Sequence, residues 1–249
     1  MPVDAVVFDL DGTLLDHRTS ARAGLERWVA GFGVPMSDAI ERAWFEAEET
    51  HFGEWRRGEI GHSEQRRRRM RAFLPVIGRP VGDDSALEAA FESYLEAYRS
   101  CWVGFPDVDD AVDAVLSRGL TTGVLTNSTR SLQEAKLAHL GLLHRIGPVV
   151  CAAELGVAKP HPDAFRAVCD AVGMPPERVL YVGDEHPVDV IGARDAGLQA
   201  VLVDRGQYDR GEAEPVEEST RIRSLTELLG LIDLLDAPTS ASGAARPGR

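Results

Sequence analysis

Short apolar runs alternate with amphipathic stretches over most of this chain. Ala5-Val6-Val7-Phe8 is apolar, β-branched in its middle, and closed by Asp9-Leu10-Asp11-Gly12. Such a run predicts a buried strand. Residues 121–126, 148–151, 178–182 and 199–203 have the same character. Between them, apolar residues return at helical spacing. Val108, Ala111, Val112 and Val115 mark one helix, with Asp107 placed to cap it. Leu132, Ala135, Lys136 and His139 mark a second. Ala164, Phe165, Val168, Cys169 and Val172 mark a third, with Pro162 near its start, so Cys169 reads as a core residue. Residues 188–196 predict a short helix ended by Gly197, and Leu225, Leu228, Leu229 and Ile232 a last one. Strands buried on both faces, alternating with helices, predict an α/β fold. Its parallel sheet would be covered on both sides and joined by the opening strand.

Residues 18–100 break the alternation and read as all-helical. Ala21, Gly24, Leu25, Trp28, Val29 and Phe32 form one apolar face. Ile40, Ala43, Trp44 and Ala47 form another, and Leu87, Phe91, Tyr94, Leu95 and Tyr98 a third. A shorter helix is expected over 63–73. Helices of this kind bury their faces in one another. The expected division is therefore an α/β core from residues 1–17 and 101–236, with a helical domain inserted at 18–100. Residues 205–220 are polar and expected to be irregular. The tail 237–249, rich in Ser, Ala, Gly and Pro, is expected to be disordered.

Charge narrows the function. The net charge is −13, which opposes binding to a polyanion, so no nucleic-acid partner is expected. An anionic substrate would need a local positive site. Cys101, Cys151 and Cys169 show no metal-ligand spacing and suit a reducing compartment. No signal peptide and no membrane-length apolar window is visible, so a cytoplasmic protein without a membrane partner is expected.

Four strand ends carry candidate chemistry. Asp9 ends the first strand and Asp11 follows at i+2, on the same side of an extended chain. At ~4 Å and an effective dielectric of about 20, their repulsion costs on the order of 4 kcal/mol. A cation or a reaction is needed to justify the pair. Asp-Gly also signals a hairpin, but the short Thr13-Leu14-Leu15 run leads into a helix and offers no partner strand. Thr126-Asn127-Ser128 follows the second strand, and is read as opening a helix suited to phosphate. Lys159-Pro160 precedes the third helix, and Gly183-Asp184 ends a strand with Asp189 five residues on. Each is ordinary alone, yet all fall where open α/β sheets bind ligands. Carboxylates, a lysine and a hydroxyl, without a cysteine or histidine cluster, describe an oxygen site that favours Mg²⁺ over Zn²⁺.

This ordered set resembles the four motifs of the haloacid dehalogenase-like hydrolases, over about residues 4–204. Gln133, Lys136-Leu137, Gly141-Leu142, Gly192-Ala193 and Ala196-Gly197 agree with it. The resemblance implies a Rossmann-like three-layer core with an inserted helical cap. It implies a Mg²⁺-dependent phosphomonoester hydrolase that works through a phospho-aspartate on Asp9. Asp11 would serve as acid and then base. Thr126, the Asn127 backbone N–H and Lys159 would hold the phosphoryl group. Asp9, the Asp11 carbonyl and Asp184 would bind the metal. Asp189 would orient the site or reach the metal through water. Relatives that cleave carbon–halogen bonds lack an acid at the Asp11 position, so Asp11 points to phosphate esters.

The cap is expected to set specificity. Arg66-Arg67-Arg68-Arg69-Met70-Arg71 cannot all face one ligand from a helix. They are read as a solvated face paired with the acidic body, with one or two of them, or Arg56 or Arg57, as alternatives for gripping an anion. Trp44 and Trp55 are read as cap core, and Glu185 as a solvated loop carboxylate. The expected partner is a small phosphate ester, with monomer and homodimer both open. A phosphosugar mutase is the rival enzyme on the same core, and a catalytically silent binding module the rival of another class.

Overall fold

The computed structural model describes residues 2–206 and 221–236. The expected disordered tail and most of the irregular 205–220 stretch lie outside them. Six strands form one parallel sheet: β1 (Ala5–Phe8), β2 (Thr121–Thr126), β3 (Val149–Cys151), β4 (Val179–Gly183), β5 (Gln199–Val203) and β6 (Arg221–Ile222). Their order is β3-β2-β1-β4-β5-β6. β1 is central, pairing Phe8 with Val124 on one side and Val182 on the other. β6 was not anticipated, because two residues are too few to show a period.

Side chains in the strands divide by parity. Val6, Phe8, Leu180, Val182, Val201 and Val203 enter one apolar cluster. They meet α5 (Val108–Ser117) and α10 (Leu228–Asp236), and Leu137 of α6 (Arg130–His139) joins them. Ala5, Val7, Val179, Tyr181, Ala200 and Leu202 face the other way, against α8 (Pro162–Val172). The alternation of the pleat thus builds a three-layer core from strands that read as uniformly apolar.

Four helices lie between β1 and α5: α1 (His17–Ala30), α2 (Asp38–Arg56), α3 (His62–Phe73) and α4 (Asp84–Arg99). They enclose a separate cluster of Leu25, Trp28, Trp44, Met70, Phe73, Leu87, Tyr94 and their neighbours. Trp44 is fully buried there, whereas Trp55 is half-buried against Phe52 and His62. The arginine run differs from expectation, since its ion pairs stay among these helices. Arg67 meets Glu64 and Glu88, Arg68 meets Glu54 and Glu64, and Arg71 meets Asp84. Arg69 is buried, bonded to Glu48 at 2.9 Å and stacked over Trp44.

Local boundaries also differ. After β3 comes the single turn α7 (Ala152–Leu155). The helix expected at 188–196 is a wide π-type turn over His186–Ile191 followed by α9 (Gly192–Asp195). The helix after Thr126 begins only at Arg130. Asp107 occupies the N-cap position of α5, but its side chain makes no cap bond. It pairs instead with Arg205 at 2.7 and 3.0 Å. Arg205 also bonds the Thr13 carbonyl, which anchors the loop after β1. Among the described residues, no helix is long and apolar enough to cross a membrane.

Candidate active site

The carboxyl ends of β1, β2 and β4 meet in one cavity of about 70 Å³. Asp9, Asp11, Thr126, Asn127, Lys159, Asp184 and Asp189 all line it, so the residues expected to act together are together. The parallel register explains this. Phe8, Val124 and Val182 are aligned, so the residues just beyond them emerge side by side.

Asp9, Asp184 and Asp189 are buried and each offers an oxygen within 4.8 Å of the others. Burial, aggravated by the Asp189 charge and resisted by Lys159, raises the Asp9 carboxyl to about 7. Burial and the charges of Asp9 and Asp189 push Asp184 well above the carboxylate range. A hard divalent cation among these oxygens would remove that strain, and the all-oxygen set fits Mg²⁺.

Lys159 is the counter-charge. Its Nζ donates to Asp9 Oδ1 at 2.6 Å, Asp189 Oδ1 at 2.8 Å and the Tyr181 hydroxyl at 2.9 Å. Burial would lower its pKa, but Asp189 and Asp9 raise it well above the usual lysine value. Its backbone is fixed by Asn127, whose Oδ1 accepts from the Lys159 N–H while its Nδ2 donates to the Lys159 carbonyl. Asp189 is engaged at both oxygens, by Lys159 and by the Glu185 N–H at 3.0 Å.

Two glycines make room for the acids. Gly12 has φ +88°, and a Cβ there would run into the Asp184 carboxylate. A Cβ on Gly183 would run into Asp189. Thr13 Oγ1 donates to Asp184 Oδ1 at 3.3 Å.

Asp11 departs from the expected repulsive pair. Its carboxylate is turned to Lys136 Nζ, 2.7 Å from each oxygen, and to Gln133 at 3.2 Å. His17 stands 3.9 Å away. Burial would raise its pKa, but Lys136, His17 and Gln133 together hold it below the usual value. Each acid has its own ammonium, so the cost inferred from sequence is relieved by two lysines.

Lys136, Gln133, His17 and Tyr181 were not identified as site residues. A signal existed for Lys136, which shares an apolar helix face with Leu132 and is 2% exposed. A lysine that deeply buried requires a partner. Glu185 is not merely solvated, because Arg56 at the end of α2 donates to it at 2.6 Å.

Comparison with known proteins agrees with this geometry. The sequence profile of the haloacid dehalogenase-like hydrolases matches residues 3–197. Phosphoserine phosphatase of Thermus thermophilus is 31% identical over 244 residues, covering 90% of this chain and 96% of that protein. A phosphatase of Mycobacterium tuberculosis is 30% identical, covering 94% and 98%. Among solved structures, the magnesium-bound HAD-hydrolase YfnB of Bacillus subtilis superposes with a TM-score of 0.79 at 20% identity. That match covers 94% of this chain and all of its counterpart.

Proposed function

The chain belongs to the haloacid dehalogenase-like hydrolases, and on that premise we propose that it hydrolyses small phosphomonoesters through a covalent intermediate on Asp9. The observation that carries this reading is the division of labour between the two acids of one loop. Asp9 is buried beside Lys159 among the clustered carboxylates, while Asp11 is held by Lys136.

Asp9 attacks phosphorus, with the Lys159 contact at Oδ1 fixing the plane of the carboxylate. Thr126 and the Asn127 N–H receive the phosphoryl oxygens, and Lys159 neutralises the charge that develops. Asp11 protonates the leaving oxygen. In the second half-reaction it takes a proton from the water that cleaves the acyl phosphate. The ionised state that Lys136 and Gln133 impose suits that second role. A bound Mg²⁺, held by Asp9, the Asp11 carbonyl and Asp184, would supply the positive charge that lets a phosphate dianion approach these carboxylates. Asp189, engaged at both oxygens, orients Lys159. Helices α1–α4 act as the cap, closing over the cavity and excluding water.

The test is phosphate release from a panel of phosphomonoesters with Mg²⁺, wild type against Asp9→Asn. The variant is expected to lose at least about 10³-fold in turnover, as nucleophile removal does. Mg²⁺-dependent turnover surviving in Asp9→Asn would overturn the assignment. An isomerised product in place of free phosphate would identify a mutase.

A further inference from the structure

The cavity has a floor and a roof of different chemistry. The floor holds the carboxylates, Lys159 and Thr126. The roof is made by Phe52 and Arg56 of α2, with Glu185 and Val188 of the loop after β4. Arg56 Nη1 donates to Glu185 Oε2 at 2.6 Å, and its guanidinium lies 5.6 Å above the Phe52 ring. The roof therefore presents one cation and one anion side by side, on the two parts of the chain that close over the site.

We propose that Arg56 and Glu185 recognise the non-reacting end of the substrate, and that this end is zwitterionic, as in the phosphate ester of a hydroxy amino acid. This rests on the phosphomonoesterase reading above. The α-carboxylate takes Arg56 and the α-ammonium takes Glu185, so both partners of the roof pair are replaced at once. A body carrying only a carboxylate would take Arg56 and leave Glu185 facing a like charge. A body carrying only an ammonium would do the reverse. A neutral body has no charge to exchange with either.

The exchange is accessible, because the Glu185 side chain is 42% exposed and a pair so open to water is weakly held. It is also directional. A guanidinium offers five N–H donors in a planar fork, and the contact to Glu185 engages one nitrogen.

Four esters separate the charges: O-phosphoserine carries both, phosphoglycolate the carboxylate alone, phosphoethanolamine the ammonium alone and glycerol phosphate neither. Phosphate release with Mg²⁺ is expected to give O-phosphoserine a kcat/KM at least about 10-fold above each of the others, the scale of one well-made polar contact. Arg56→Met is expected to shrink the preference over phosphoethanolamine, and Glu185→Gln the preference over phosphoglycolate, each about 10-fold. A purely structural role would lower all four esters by one factor and keep the ratios.

Equal or better turnover of any singly charged or neutral ester by the wild type overturns the inference. So do variants that leave the ratios unchanged. If none of these esters nor p-nitrophenyl phosphate releases phosphate, it is the underlying phosphatase reading that fails.

Discussion

Lys136 Nζ lies 2.7 Å from both carboxylate oxygens of Asp11, and Lys136 is itself 2% exposed. This two-oxygen contact ties Asp11 to α6, while Asp9 is tied to Lys159. It gives the loop Asp9-Leu10-Asp11-Gly12 two acids in different electrostatic states, one raised and one lowered.

Replacing Lys136 by Met keeps the apolar stem and removes the ammonium. Asp11 would then rise toward the neutral form and lose its fixed direction. Turnover is expected to fall about 10- to 100-fold, part of the 10²–10⁴ that general acid–base groups contribute. Because Asp11 is left without its ammonium, the protein should also lose about 3 kcal/mol, which lowers the unfolding temperature by several degrees. Calorimetry and steady-state phosphate release on the same preparation check both halves.

Mg²⁺ should stabilise the protein by mass action. At a hundred times its dissociation constant the gain is about 2.7 kcal/mol. Asp184→Asn should remove most of that gain, since it takes one anion from the buried cluster. Thermal unfolding of both proteins across a magnesium titration measures it. An increment of the same size in the variant would exclude Asp184 from the binding site.

Gly12→Ala tests how tightly the loop is built. Any side chain at φ +88° is strained by about 1–3 kcal/mol, and the new methyl would press on Asp184. Magnesium affinity is expected to drop at least about 10-fold, with the apo protein less stable by an amount in that strain range. Isothermal titration reports the first and urea unfolding the second.

Acid should loosen helices α1–α4 at two groups, both held below their ordinary pKa. Glu48 would be raised by its burial, but Arg69 and His17 lower it from 4.5 to about 2. Between those values the unfolded chain binds the proton more tightly, so this contribution is complete above 4.5 and is lost as pH falls through about 2. His62 is lowered from 6.5 to about 4 by burial first and by Arg66 and Arg69 next. Its neutral form is the folded one, so stability falls as pH drops from 6.5 toward 4. Glu48→Gln should cost about 3 kcal/mol at pH 7, leaving Arg69 buried without its anion. The deficit should narrow as pH falls from 4.5 toward 2, where the unfolded chain takes up the proton that folded Glu48 resists. His62→Gln should flatten the loss between pH 6.5 and 4. Urea unfolding at stepped pH resolves the two windows.

Much of the fold was legible because burial on both faces leaves a strong local trace. β1, β2, β4 and β5 appeared as apolar runs, and α5, α8 and α10 as spaced apolar sets, since each element satisfies its packing with its own period. β6 left no trace, being two residues long and held by its neighbour β5. The turn at His186–Ile191 stands where the sequence predicts an ordinary helix over 188–196. Its widening accompanies Asp189 reaching Lys159 and the Glu185 N–H, bonds that no local propensity encodes.

The sequence by itself determined which side chains stand at the strand ends. The order of Asp9, Thr126, Lys159 and Asp184 along the chain, combined with a parallel sheet, sends them to one edge. Tertiary structure alone decided their partners. Asp9 and Asp11 are two residues apart, so sequence spacing makes them neighbours in charge. Yet Lys159 and Lys136, 150 and 125 residues further along the chain, set their states separately. The same holds for Arg56 and Glu185, 129 residues apart and brought together where the end of α2 meets the loop after β4. Local sequence fixes which face a residue presents. The field it experiences comes from whatever the fold packs against that face, and in a buried site that field decides the chemistry.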